Sequence, residues 1–391
     1  MFFIVALTML VIIHGYVGFK IIPAIDLSGI SNIIAWVLLS LVTFLPIAPI
    51  GFRFLGIETK LIDKVSLLGY TSLGFFAFTF IILIFKEMLV FAILGFEKVL
   101  PYFSKSSDLI NDDRREFLQK SLSVGVLAIT TPSAVYGYHQ ARKGPRVIEQ
   151  EIKLGGKLPG PFNGLTIAQI SDLHVGPTIK KGYVENVVDK ISRINPDMIV
   201  VTGDLIDGSI KHLRNDLAPL GDLNALHGVY FVTGNHEYYS GVDYCLDHVD
   251  KLGMTNLINE NILITKNKEN IVLAGITDFS AGNIKPSHFS NPALALNGVS
   301  KDLVRILLAH QPNSIHDVHK AGADLQISGH THGGQFWPFN IPTSLANAYL
   351  AGHYDHLGTQ IYVNRGTGYW GPPLRIGIPS EITLFKLFGK K

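Results

Sequence analysis

The stretch Ser328-Gly-His330-Thr-His332-Gly-Gly334-Gln335 sets two imidazoles one residue apart in a glycine-rich turn, directly after the apolar run Asp324–Ser328. Glycine tolerates positive φ and lets the backbone approach a ligand closely. A His-x-His pair in an extended turn can send its rings to two different partners. Neutral imidazole is the commonest metal-ligating side chain, so the turn reads as part of a metal site, with a polar surface turn as the competing reading. Similar donors recur along the chain. Asp172-Leu-His174 follows the apolar run Leu165–Ile170, and Gly203-Asp204-Leu-Ile-Asp207 follows Met198–Thr202. Gly234-Asn235-His236-Glu237 follows Val229–Thr233, and His310 follows Arg305–Ala309.

These short apolar runs are strand-like, and in open α/β sheets ligands gather outside the carboxyl ends of strands. One carboxylate there is unremarkable and usually caps a helix. Donors after five strands form a constellation. Two carboxylates (Asp172, Asp204), one carboxamide (Asn235) and four histidines (His174, His310, His330, His332) suffice for two divalent ions. The mixed oxygen and nitrogen set suits borderline ions such as Mn, Fe or Zn better than Ca.

The elements that must position these donors alternate strand and helix. Tyr183–Ile194 carries Val184, Val187, Val188, Ile191 and Ile194 at helical spacing and stops before Pro196. Further strands are expected at Ile271–Ala274, Leu325–Ser328, Gln360–Val363 and Ile382–Leu387. Together they predict an α/β domain over residues 161–391, preceded by a linker and first strand within 141–160 that begins at Ala141-Arg-Lys-Gly-Pro145.

Residues 1–140 read as a multi-span membrane region. Phe2–Val17, Ile30–Ile50 and Ser66–Phe85 lack charged side chains and approach the ~20 residues needed to cross a bilayer. Met88–Gly95 extends the third span or forms a short fourth. Arg114-Arg115-Glu-Phe117-Leu118 then opens a twin-arginine-like segment at 113–138, read as an uncleaved last span over Leu118–Tyr138, with an ordinary basic-flanked helix as the alternative. That makes four or five spans. Lys86, Lys98, Lys105, Arg114, Arg115 and Lys120 would lie on one side, cytoplasmic by the positive-inside rule, so the α/β domain would face outward. Arg53, Lys60 and Lys64 fall in a loop that this topology puts outside.

Among 391 residues, 33 are Lys or Arg and 31 Asp or Glu, a balance that argues against nucleic-acid binding. Cys245 is the sole cysteine, so no intrachain disulfide can form. The lack of a G-x-S-x-G elbow counts against a serine hydrolase.

The ordered set D-x-H, G-D-x-x-D-G, G-N-H-E, H and G-H-x-H-G-G resembles the calcineurin-like metallophosphoesterase superfamily over about Leu165 to Phe388. With the multi-span front, the chain is similar to its membrane-bound branch, and the 113–138 segment to twin-arginine-exported phosphoesterases. The resemblance implies a four-layer αββα sandwich behind an N-terminal helical bundle, with metals at the rim between the sheets. It implies that Asp172, His174 and His332 hold one divalent ion (Mn, Fe, Zn or Mg). Asn235, His310 and His330 would hold a second, with Asp204 bridging. Two such cations lower the pKa of a shared water enough to supply hydroxide near neutral pH. His236 would then protonate the leaving oxygen, and Asp207 would orient it, although Asp207 also reads as a turn residue before Gly208.

In protein Ser/Thr phosphatases an arginine that grips phosphate follows the position of Asp207. Here Gly208 stands there, which disfavours phosphoprotein and leaves phosphodiesters, nucleotides and lipid headgroups. A bilayer tether favours a lipid-linked substrate in an integral, bacterial inner or plasma membrane setting. A pyrophosphate such as that of UDP-2,3-diacylglucosamine is one candidate, in conflict with an outward-facing domain. The rival from another class is a membrane-bound scaffold that keeps the fold without catalysis. Phe336, Trp337 and Phe339 read as packing or a pocket wall. His316 and His319 read as solvated, His353 and His356 as loop residues near the motifs that could touch substrate, and His14 as a helix–helix hydrogen bond.

Overall fold

The computed structural model describes residues 2–99 and 112–389. The chain divides into two compact units, Met1–Tyr138 and His139–Lys391.

The first unit contains α1 (Phe2–Ile21), α2 (Gly29–Phe44), α3 (Ala48–Phe54) and α4 (Lys60–Val99), and takes in most of α5 (Asp112–Arg142). Three stretches are long and apolar enough to cross a membrane: Leu7–Ile25, Gly29–Arg53 and Lys60–Ile93. Helix α4 runs unbroken through Lys86 and Glu87, so Met88–Gly95 prolongs the third span and makes no fourth. The charges there are compensated, because Glu87 Oε1 takes ion pairs from Lys20 at 2.9 Å and Lys86 at 3.0 Å. The helix expected over Leu118–Tyr138 forms within α5, yet among the described residues it is not one of the three apolar candidates. Gln119, Lys120 and its serines and threonines dilute the apolar run. Among the described residues there are thus three such helices, where four or five spans were expected. Among the described residues His14 makes no hydrogen bond to another helix, contrary to expectation: its Nδ1 bonds Leu10 O one turn back on its own helix, where the carbonyl is in reach, and only its ring meets a neighbour, 4.5 Å from that of Phe76. Lys105 lies outside the described residues.

In the second unit, β1 (Arg146–Lys153), β2 (Thr166–Ile170), β3 (Met198–Thr202), β4 (Val229–Val232), β5 (Thr255–Asn256) and β12 (Glu381–Phe388) form one sheet, ordered β1-β12-β2-β3-β4-β5. A second sheet has the order β10-β11-β9-β8-β7-β6, from β6 (Glu260–Lys266), β7 (Glu269–Gly275), β8 (Arg305–Leu308), β9 (Leu325–Ser328), β10 (Gly352–His356) and β11 (Thr359–Val363). Period-2 alternation sends side chains to both faces of each strand, and both faces are covered. Met198 and Val200 of β3 join Ile306, Leu308, Leu325 and Ile327 of the other sheet in the inner core. Ile199 and Val201 point the other way, onto Val184, Val187 and Ile191 of α6 (Lys181–Ile194). Leu213 and Leu217 of α7 (Ile210–Leu217) complete that outer layer. Behind the second sheet, Val272, Ala274 and Leu307 meet Ala295 of α10 (Pro292–Ala295) and Val318 of α11 (Ile315–Ala321). The result is an αββα sandwich, as the motif resemblance implied. Helix α8 (Asn235–Ser240) follows β4 directly and is succeeded by α9 (Val242–Lys251); α12 (Asn340–Ala346) lies beyond the His-x-His turn.

The pairs β2·β3, β3·β4 and β8·β9 are parallel. Their carboxyl ends therefore open on a common edge of each sheet, and the two edges are joined. Gln169 donates to Thr202 Oγ1 at 2.7 Å and, across the sandwich, to Ser328 O at 2.9 Å.

Candidate metal centre

At this rim the five strand-end segments converge. Asp172, His174 and His332 bring one potential ligand atom each within 4.8 Å of one another, and so do Asp204, His310 and His330. Asp204 Oδ2 lies between the two groups, 3.2 Å from His310 Nε2 and 3.7 Å from His174 Nε2. His332 Nε2 stands 3.1 Å from His174 Nε2 and 3.5 Å from Asp172 Oδ1. His330 Nδ1 stands 3.2 Å from His310 Nε2.

The backbone that aims these groups is strained. Asp172, His174, Asp204, His330 and His332 have φ between 50° and 71°, a left-handed region that costs a non-glycine residue of the order of 1–3 kcal/mol. Hydrogen bonds hold it there. The Asp172 carboxylate accepts the His330 N–H at 3.0 and 2.9 Å and the Ser171 hydroxyl at 2.6 Å, tying the first sheet to the second. Glu237, fully buried, accepts the N–H groups of Asp204, Leu205, Ile206 and Gly234 at 2.9, 2.8, 3.3 and 2.6 Å. Gly203 needs to be glycine: φ is 81°, and a Cβ would lie 2.5 Å from Gly234 N and 2.8 Å from His310 Nδ1.

The donor set fits divalent cations on three counts. His310 Nδ1 lies 2.8 Å from Thr202 O, an acceptor only, so Nδ1 carries the proton and Nε2 is left to ligate. Asn235 Oδ1 is buried with no hydrogen-bond partner, a desolvated oxygen that a cation would satisfy. Burial and neighbouring imidazoles push His174 down to about 3 and His330 down to about 4, so both rings are neutral donors at pH 7. Burial lifts Asp172 to about 6 against the pull of His310. Burial also disfavours ionised Asp204, but the charges of His310 and His236 outweigh it and hold this carboxyl well below its ordinary range.

His236 stands apart. Its Nδ1 lies 3.4 Å from Asp207 Oδ1, and its ring meets that of His174 edge-on at 4.7 Å. Burial lowers its affinity for a proton, but the carboxylates of Asp204 and Asp207 override this and raise it to about 9. The His236 backbone N–H donates to Asp204 Oδ1 at 2.9 Å, fixing the carboxylate whose other oxygen faces both donor groups.

Eight of the nine residues singled out in the sequence thus stand in groups at one rim, and Asn235 directly precedes one of them, His236, in the chain. Others named beside them do not. His316 and His319 gather round His356, at 5.0 and 5.7 Å between rings, and His356 and His353 belong to strand β10 and not to a loop. Phe336 is buried against Phe339, while Trp337 is exposed. Sequence reading missed Arg375, a buried guanidinium whose Nη2 lies 3.1 Å from His332 Nδ1 and 2.6 Å from Gly368 O. It also missed Trp370, whose ring lies 5.6 Å from that of His236. Neither stands in a motif or a periodic segment, so nothing local marked them.

A fold of two mixed sheets with paired Asp/His groups at strand ends defines a metallophosphoesterase. The profile of the calcineurin-like phosphoesterases matches residues 165–334. A Danio rerio protein named transmembrane protein with metallophosphoesterase domain is 36% identical over 329 residues, covering 82% of this chain and 72% of that protein. A metallophosphoesterase of Helicobacter pylori is 37% identical over 295 residues, 74% of this chain and 76% of that one. The 5′-nucleotidase precursor of Thermus thermophilus aligns with a TM-score of 0.37 at 15% identity, over 57% of this chain and 54% of that chain, too distant to bear on substrate. The chain belongs to the calcineurin-like metallophosphoesterases, metal-dependent hydrolases of phosphoesters. Its apolar helices associate it with a membrane.

Proposed function

We propose that the chain is a membrane-anchored two-metal phosphodiesterase or pyrophosphatase acting on lipid-linked or small-molecule substrates. In this reading Asp172, His174 and His332 hold one divalent ion, Asn235, His310 and His330 hold the other, and Asp204 is shared. The observation that carries it is the position of Asp204 Oδ2, within 3.7 Å of a histidine from each group. Two close cations repel, and a common anion is what keeps such a pair together. When bound, the ions supply a water ionised near neutral pH and neutralise charge on the phosphoryl oxygens. The chain's own residues do the rest. Glu237 and Ser171 hold the carboxylates in place. Asp207 keeps His236 protonated and turned so that Nε2, its other ring nitrogen, can deliver a proton to the leaving oxygen. Gly208 offers no cation for a phosphoprotein, consistent with a small or lipid-borne ester.

A lipid substrate is favoured because the anchor and the scissile bond would share a surface, and the basic residues flanking the spans favour an extracytoplasmic domain. A scaffold role has no observation in its favour, since every donor position is filled. The test is the purified full-length protein with Mn2+ or Zn2+ against phospholipids, nucleotides and sugar nucleotides. Hydrolysis of a diester or pyrophosphate, lost in Asp204→Asn, is expected. Stoichiometric metal with no turnover of any of them would overturn the reading.

A further inference from the structure

His236 is flanked by two aromatic rings from unrelated parts of the chain. Tyr239, one helical turn further along α8, meets it at 5.4 Å with the planes at 67°, and Trp370 meets it at 5.6 Å and 71°. Both rings are largely open to solvent, Tyr239 at 62% and Trp370 at 53% exposure, although the imidazole between them is buried. Large aromatic side chains in a core would be covered; here the covered group is the titratable one.

The Trp370 segment is held firmly. Gln335, the last residue of the His-x-His turn, donates to Trp370 O at 3.0 Å and Pro372 O at 2.8 Å and accepts from Trp370 N at 2.9 Å. Gln335 is itself buried, in a left-handed conformation with φ 59°. A backbone bonded three times to a buried side chain does not leave its ring exposed through looseness. On the other side, Tyr239 stands on α8 itself, three residues after His236, so the helix that carries the acid histidine also places this ring. Two exposed aromatic surfaces beside one proton donor, one of them on a firmly held segment, make a receptor for a flat group.

We propose that Tyr239 and Trp370 bind the leaving group, and that this group carries a planar ring, as an aryl or nucleoside alcohol does. The assignment rests on His236 being the residue that protonates the leaving oxygen: what flanks the acid must flank the departing alcohol. Stacking on an aromatic ring is tolerant of which ring is offered, so the pair selects a class of ester and not one compound. A saturated acyl chain gains little from two half-exposed rings, because its hydrophobic gain comes from removing its whole surface from water.

The full-length protein in detergent with Mn2+ is assayed on two esters, thymidine 5′-(p-nitrophenyl phosphate) and dihexanoyl phosphatidylglycerol. Trp370→Ala and Tyr239→Ala are each expected to raise KM for the aryl ester about tenfold or more, with kcat and bound Mn2+ little changed. Trp370→Phe and Tyr239→Phe, which keep a ring, are expected to restore the wild-type KM. If neither alanine variant moves KM for the aryl ester, or if both weaken the acyl ester equally, the receptor assignment is wrong while the hydrolase reading survives. If the wild type, with Mn2+ bound, cleaves neither ester, the diesterase reading fails and takes this assignment with it. Loss of Mn2+ in the alanine variants would show that the rings only support Asn235, and that too overturns the proposal.

Discussion

The carboxylate of Glu237 accepts the backbone N–H of Asp204 at 2.9 Å, so the last residue of one motif sets the conformation of the central residue of another. Both are buried, and they follow the adjacent parallel strands β3 and β4. The same carboxylate takes three more N–H groups. It thereby satisfies N–H groups of a turn whose carbonyls of Gly203, Asp204 and Leu205 are taken by the segment after β2. The left-handed φ of Asp204, 51°, is what these bonds sustain.

Glu237→Ala therefore removes an acceptor shared by four buried donors. Leaving such groups unpaired costs about 1–3 kcal/mol for one and more for several, so a stability loss of about 3–5 kcal/mol is expected by chemical denaturation. Metal affinity should fall in the same variant, since Asp204 is no longer held. A Glu237→Ala protein as stable as wild type would show that water replaces the carboxylate.

Asp204→Asn keeps the shape and halves the capacity to serve two cations. The expected result is loss of at least one Mn2+ per chain by calorimetry or elemental analysis. A drop in kcat of more than about 100-fold should accompany it, because charge stabilisation by metals contributes several kcal/mol.

His236→Ala should leave metal content unchanged. It should lower kcat by about 100- to 10,000-fold for esters with poor leaving groups and far less for p-nitrophenyl esters, whose alcohol departs without a proton. Asp207→Asn should follow the same pattern with a smaller loss. Equal losses on both kinds of ester would remove His236 from proton delivery.

Metal removal should destabilise the second unit. At an ion concentration 100 times Kd, binding to the native state alone adds about 2.7 kcal/mol. A chelator is thus expected to lower the melting temperature of the full-length protein, and Mn2+ to restore it. No shift on chelation would mean that the five left-handed donors are held without an ion.

Gly329→Ala tests the packing of the rim. A Cβ there would overlap Ser171 Oγ and Asp172 Oδ2, pushing the carboxylate off the donor group it shares with His174 and His332. Metal affinity is expected to fall at least tenfold, with secondary structure by circular dichroism retained.

The chain alone determined the donors, the buried strands that precede them and the apolar helices. Each is written in a few neighbouring residues, as a motif, a period or a charge-free run. It left β5, β6 and β10 unseen, because edge strands with an exposed face lack the apolar alternation that marks β3 or β9. It also suggested a last span over Leu118–Tyr138, which forms within α5 but is more polar than the three apolar candidates among the described residues. Only the tertiary structure decided that Asp172 accepts from His330, 158 residues away. The same holds for Asp204 facing two groups, and for Arg375 and Trp370 reaching His332 and His236. Parallel strands bring their carboxyl ends to one edge, and the sandwich then joins two such edges. Groups made neighbours that way share no local pattern, since what places them together is the burial of the sheets between them.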